Sequence, residues 1–167
     1  MTTGFIWGKF MPIHRGHMYL IEYARERVDH LTVLVCSRLH EPIPGSLRYQ
    51  WVRELYPEVN VQHCDDEIPS YPHEHPDFWT IWLNTIRRFV PVGPNVVFTS
   101  EVAGDKLAEI LGARHECVDL RREKFPVSGT AVRGNPGACW ELIPPSVQAY
   151  YTEGLYKMLP PIFHDPA

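Results

Sequence analysis

Apolar positions along this chain repeat with two different spacings, and the alternation between them predicts its elements. Residues 4–7 are a short apolar run that predicts a first strand. Residues 31–37 (LTVLVCS) form a longer run without polar alternation, as a strand covered on both faces of a parallel sheet requires. Between them Leu20, Ile21, Ala24 and Val28 fall on one stripe, which predicts an amphipathic helix over 18–28. Behind Ser46, a natural N-cap, Leu47, Trp51 and Leu55 recur every four residues, so a second helix is expected over 46–56, stopped by Pro57. Residues 59–63 predict strand three. Asp77 is expected to cap a helix to about residue 90 that carries Phe78, Trp79, Trp82, Ile86 and Phe89. Residues 95–99 predict strand four, 105–111 a short helix closed by Gly112, and 114–120 strand five. Residues 64–76 are polar, proline-rich and irregular, a loop longer than most connections in a compact domain. Helical segments are expected beyond Pro136, the last running from about Pro144 to residue 158, and 159–167 read as a tail.

Strands alternating with helices predict an α/β protein, a Rossmann-like doubly wound parallel sheet of about five strands with a C-terminal helical segment. In such sheets ligands bind beyond the carboxyl ends of the strands, where the strand order reverses. The 167 residues are read as one domain, with a core over 1–158. A hydrophobic fraction of 44% with 12% aromatic residues is that of a folded globular chain.

Charge narrows the partners. Sixteen Lys plus Arg against 20 Asp plus Glu give a net charge of −4, so there is no basic field for nucleic acid. An anionic ligand must then be held by a few local cations, which favours a small molecule over a polymer. The four cysteines, Cys36, Cys64, Cys117 and Cys139, form no C-x-x-C pair. No signal peptide and no run of about 18 apolar residues are seen, so free thiols in a reducing cytoplasm, away from membranes, are expected. Self-association into a homo-oligomer is left open.

The chemistry concentrates in Gly8-Lys9-Phe10-Met11-Pro12-Ile13-His14-Arg15-Gly16-His17, placed between the first strand and the first helix. Gly8 and Gly16 allow close backbone approach to a ligand, and N–H groups at a helix start favour an anion. His14 and His17, three apart, can both turn toward one phosphate if the helix begins between them. The loop is not a P-loop: residues 4–9 are one short for G-x-x-x-x-G-K, and Phe10 stands where a Ser or Thr must bind Mg²⁺. A second cluster lies near the end of the chain, where Ser128 and Thr130 are natural N-caps and Arg133 follows on the same helical face. Two hydroxyls, free N–H groups and a guanidinium make a second anion site. His63, Cys64, Asp65, Asp66, His73 and His75 match no zinc spacing, and no metal ligands are assigned among them.

The string G-x-F-x-P-x-H-x-G-H, joined to S-x-T-x-x-R, resembles the nicotinamide-nucleotide adenylyltransferases of the H-x-G-H nucleotidyltransferase superfamily, and among them the adenylyltransferase domain of NadR-type proteins. Tyr71-Pro72-His73, residues 78–84 (FWTIWLN), Thr99-Ser100-Glu101, Asn135-Pro136 and Trp140 agree as well, so the similarity runs over residues 4–151. NadR proteins are usually longer, with a kinase domain and sometimes a DNA-binding segment, and neither role is carried over.

The resemblance implies transfer of AMP from ATP to nicotinamide mononucleotide (NMN), with Mg²⁺ accompanying ATP. It implies that His17 and His14 contact the ATP phosphates, that Lys9 bridges the two substrates, and that Arg133, Ser128 and Thr130 hold the β- and γ-phosphates. Gly8, Phe10, Met11 and Gly16 would frame ATP. On the NMN side it implies Trp82 as a platform for the pyridinium, which a flat aromatic face attracts, with Asn84 at the carboxamide, Arg48 at the phosphate and Tyr71 beside them. Glu101 is read as a loop-orienting acid. Rival readings are an H-x-G-H enzyme acting on phosphopantetheine or glycerol phosphate, and a non-catalytic sensor of NAD or NMN.

Overall fold

The computed structural model describes residues 1–158, with side chains for 1–154; the tail expected over 159–167 lies outside the described residues. Five strands, β1 (Thr3–Gly8), β2 (His30–Cys36), β3 (Asn60–Cys64), β4 (Val96–Thr99) and β5 (Arg114–Cys117), pair in the order β3-β2-β1-β4-β5. Every pairing is parallel. Helices α1 (Arg15–Arg25), α2 (Gly45–Leu55), α3 (Phe78–Phe89), α4 (Gly104–Leu111), α5 (Gly129–Gly134) and α6 (Pro145–Met158) complete the described part. The chain steps outward from β1 to β2 and β3, then crosses back to β4 and β5 on its other side. The reversal therefore falls between β1 and β4, and the loops leaving their carboxyl ends flank a crevice.

Both faces of the sheet are covered, which is why the strands carry apolar runs. On one face Ile6, Val33 and Val35 pack with Ile21, Ala24, Trp51, Val52, Val132 and Val147. On the other, Phe5, Leu34 and Val97 pack with Phe78, Trp82, Ile86 and Leu107. Two separate apolar layers on opposite sides of one sheet make the doubly wound α/β architecture expected from the sequence. Among the described residues no helix is long and apolar enough to cross a membrane.

Several local expectations need correction. Helix α2 is entered through Pro44, without a side-chain cap, and Ser46 lies inside its first turn. Asp77 occupies the N-cap of α3, yet its carboxylate makes no capping bond. Strand β5 stops at Cys117 rather than residue 120, because Asp119 turns to φ 51° and its carboxylate takes the N–H groups of Glu123 (2.9 Å) and Lys124 (3.1 Å). A side chain that captures nearby backbone donors competes with a ladder in this way. The long loop contains a short 3₁₀ turn at Pro72–Glu74. It is tied down from several sides, by Arg38 to Glu67 and Glu74, by Arg88 to Asp66, and by the Trp82 indole N–H to the Pro69 carbonyl at 2.8 Å.

Candidate active site

Helix α1 begins at Arg15, between the two histidines, and His14 is its N-cap. The His14 Nδ1 accepts from the N–H groups of Gly16 (3.1 Å) and His17 (3.3 Å). In return the His17 Nδ1 accepts the His14 N–H at 3.3 Å. This is a capping box built from two imidazoles, and the rings stack with centroids 3.7 Å apart. Gly16 is required here, since a Cβ would lie 2.9 Å from the His14 ring. The helix-start N–H groups expected to meet an anion are thus partly spent on the cap. With both Nδ1 atoms accepting, each neutral ring carries its proton on Nε2.

Burial, and then the nearby Arg122 guanidinium, push the His14 imidazole down to about 4. Burial, His14 and Arg122 hold His17 well below the ordinary imidazole value as well. Both rings are therefore uncharged at neutral pH, with Nε2–H as their donor.

The second cluster reaches the first across 122 residues of sequence: an Arg133 Nη1–H donates to the Met11 carbonyl. Ser128 caps α5 by accepting the Ala131 N–H at 3.1 Å. Thr130 lies inside the helix instead of capping it, and its Oγ1 is 3.4 Å from an Arg133 Nη2 donor. Gly129 makes the approach possible, for a Cβ there would sit 2.7 Å from the Met11 carbonyl oxygen. One cavity of about 440 Å³ at the sheet's carboxyl edge is lined by both clusters, with Gly8, Lys9, Phe10, Met11, His14, Gly16, His17, Ser128, Thr130 and Arg133 all contributing.

Arg48 is not part of that lining. Its side chain is fully enclosed, and its donors go to the carbonyls of Ile43 (2.9 Å), Lys9 (2.8 Å) and Cys36 (3.2 Å) and to Glu41 Oε1 (2.9 Å). Enclosed and bonded in this way, Arg48 holds the first loop and does not reach the cavity, and no place at the NMN phosphate is proposed for it. Asn84 does not line the cavity either. Two positions beyond Trp82 on α3, it is exposed and turned away from the cavity that Trp82 lines, as a step of two residues on a helix dictates. Lys9 does line the cavity. Its Nζ lies 2.6 Å from Glu41 Oε2 and 5.7 Å from the Tyr71 ring centre. Burial raises the Glu41 carboxyl, but Lys9, the Arg38 N–H and Arg48 outweigh it and hold the group below its usual range.

Trp82 is buried yet borders the cavity, as does the half-exposed Tyr71. Trp7, the last aromatic residue of β1, was not singled out from the sequence. It lines the same cavity and meets Trp82 edge-on at 4.7 Å. Its position directly before the glycine loop was the available signal. Arg122 was not singled out from the sequence either; with φ at 54°, it bonds the Val127 carbonyl and lines the cavity near the histidines. Thr99, Ser100 and Glu101 complete the rim.

A family model described as cytidylyltransferase-like matches residues 5–135. The chain belongs to the cytidylyltransferase-like family, a family of nucleotidyltransferases. This cytidylyltransferase-like chain is 31% identical over 170 residues to the trifunctional NAD biosynthesis/regulator protein NadR of Escherichia coli (strain K12), across 90% of this chain and 40% of that protein. It is 23% identical over 154 residues to a nicotinamide-nucleotide adenylyltransferase of Methanococcus maripaludis, across 86% of this chain and 84% of the relative. A crystal structure of NadR protein in complex with NAD and AMP-PNP aligns with a TM-score of 0.65 at 20% identity, over 85% of this chain and 44% of that one, which shows the shared fold. The chain thus spans 40% of the length of the NadR protein it matches.

Two outcomes are expected. Gly129→Ala forces α5 off the Met11 carbonyl and should cost about 1–3 kcal/mol in urea unfolding; unchanged stability would refute the close packing. For His14 the folded-state pKa is depressed, so its contribution is complete above the unfolded value near 6.5 and is lost as pH falls toward 4. Between those limits the ligand-free protein should lose about 3 kcal/mol through this ring. His14→Asn, which retains a cap acceptor, should flatten that part of a stability-against-pH curve, and an identical curve would remove the assignment.

Proposed function

We propose that this nucleotidyltransferase is a nicotinamide mononucleotide adenylyltransferase, which transfers AMP from ATP to NMN and yields NAD and pyrophosphate. The observation that carries the reading is that the histidine cap and Arg133, tied together through Met11, open on one cavity. Trp7 and Trp82 line that cavity from the opposite layer of the sheet. A triphosphate belongs with the first set of groups and a flat pyridinium with the second. The sequence relatives that carry the adenylyltransferase name, or a name in NAD biosynthesis, agree with this reading.

In this reaction an oxygen of the NMN phosphate forms a bond to the α-phosphorus of ATP. The bond from that phosphorus to the bridging oxygen breaks, and pyrophosphate leaves with the electron pair. An ionised phosphate needs no base to attack, so the protein's part is alignment and charge stabilisation. His17 and His14, neutral and carrying Nε2–H, donate to α-phosphate oxygens without offering a proton that could be lost to the nucleophile. Arg133 and Arg122 neutralise the departing pyrophosphate, with the Ser128 and Thr130 hydroxyls beside them. Lys9 lies between the phosphate groups and the Tyr71 ring and bridges the two substrates. A Mg²⁺ accompanying the triphosphate would be held chiefly by the substrate rather than by side chains, since among the described residues no three His, Cys, Asp or Glu group as a metal site. Bound there, Mg²⁺ neutralises phosphate charge.

The rival is CMP or AMP transfer to another phosphate acceptor, and the family description makes CTP a fair comparison nucleotide. The paired tryptophans favour an acceptor with a flat ring over phosphopantetheine or glycerol phosphate. Pyrophosphate release should be measured with ATP or CTP against NMN, nicotinic acid mononucleotide, phosphopantetheine and glycerol phosphate. Turnover is expected with ATP and a pyridine mononucleotide, and turnover confined to another acceptor, or binding without turnover, would overturn the proposal. His17→Ala should lower kcat by on the order of 10²-fold, the size of losing one donor to a developing oxyanion; near-wild-type kcat would sink that role. Trp82→Ala should raise KM for the mononucleotide by about tenfold and leave KM for ATP nearly unchanged, whereas equal changes would refute the platform.

A further inference from the structure

Lys9 is a long, flexible side chain at the point where the two substrates would meet, so what holds its ammonium in place matters as much as its charge. Its backbone is fixed by Arg48, which donates to the Lys9 carbonyl at 2.8 Å. Its tip is fixed by Glu41, whose side chain is 3% exposed against 39% for Lys9. The two oxygens of that carboxylate are in different situations. Oε1 takes the Arg38 N–H at 2.7 Å and Arg48 Nη2 at 2.9 Å, both donors held by the surrounding protein. Oε2 is enclosed and has the Lys9 ammonium, 2.6 Å away, as its partner. The guanidinium of Arg38 is engaged elsewhere, with Glu67 and Glu74. Oε1 therefore fixes the plane of the carboxylate, and Oε2 is left to face one cation.

From this arrangement we infer that Glu41 is the positioning residue for Lys9 in nucleotidyl transfer, an inference that rests on the reading of Lys9 given above. A buried carboxylate oxygen without another donor holds an ammonium strongly, because losing that partner leaves it unpaired away from water. The ammonium has three donors; one side faces Glu41, and its remaining protons are available to the cavity. Glu41 borders the cavity as well, but its Oε1 is committed to Arg38 and Arg48 and its Oε2 to Lys9. It acts through Lys9 by fixing where that charge stands, and a displacement of about 1 Å at such a point can cost up to about 10²-fold in rate.

The test is a cycle of substitutions read in steady-state kinetics and thermal melting. Glu41→Gln keeps acceptors for Arg38 and Arg48 but removes the charge facing Lys9. Glu41→Asp keeps the charge opposite Arg48 and withdraws it from Lys9 by one methylene, so it carries the test if the glutamine variant does not fold. Each is expected to lower kcat by about tenfold or more while KM for ATP changes by less than about twofold. In a Lys9→Met background neither should lower kcat further, since the group through which Glu41 acts is gone. Penalties that multiply with that of Lys9→Met, or a rise in both KM values together with a lowered melting temperature and unchanged kcat, would overturn the inference. A slow Lys9→Met enzyme beside a Glu41→Asp enzyme of wild-type kcat removes the role of Glu41 alone. Wild-type kcat in Lys9→Met removes the reading of Lys9, and this inference with it.

Discussion

The carbonyl oxygen of Met11 joins the two parts of this site. It belongs to the loop between β1 and α1, and it accepts from a guanidinium whose helix follows β5, at the far edge of the sheet. Without that bond the histidine cap and the α5 cluster would be separate features on two strand ends. With it, loops on either side of the β1/β4 reversal close on a single space. The requirement reaches back into sequence as a glycine: at position 129 any side chain would stand where the carbonyl is. Arg48 does similar work on the other side of the loop, gripping Lys9, Cys36 and Ile43 at once. Both arginines use the forked donor geometry that a lysine lacks.

The histidine pair combines two functions that are usually divided. Each ring satisfies backbone groups at the start of α1 through one nitrogen, and both residues line the cavity. Enclosure keeps the rings uncharged, so the positive charge at the site is left to Lys9, Arg38, Arg122 and Arg133. Separating neutral donors from fixed charges suits a reaction in which no proton needs to move.

Most of the fold was legible in the sequence, because apolar runs and four-residue stripes report directly on which face of an element is covered. The order of elements, the parallel sheet and the two edge loops follow from that pattern. Its failures have local causes. Ser46 and Asp77 are good cap residues by composition, but the path taken by Pro44 and the long loop left their side chains without a backbone donor to accept. Within the site, Lys9, His14, His17, Ser128, Thr130 and Arg133 stand in short strings whose spacing survives folding, and all of them line the cavity. Arg48 and Asn84 were assigned by analogy alone, and what decides their place is burial and helical phase. Arg122 depended on a left-handed backbone turn, and Trp7 on what lies opposite the end of a strand, and neither is written in local sequence.

The indole of Trp82 has a second attachment, its N–H to the Pro69 carbonyl, which fastens the long loop onto α3. One side chain thereby serves as a wall of the cavity and as a fastening for the segment above it. Exchanging that ring for a different shape would also loosen the strap it secures. Among the described residues Trp7 has no hydrogen-bond partner of that kind, and it presents itself from the end of a strand. A change in acceptor preference is more accessible there, where shape can vary while the framework stays as it is.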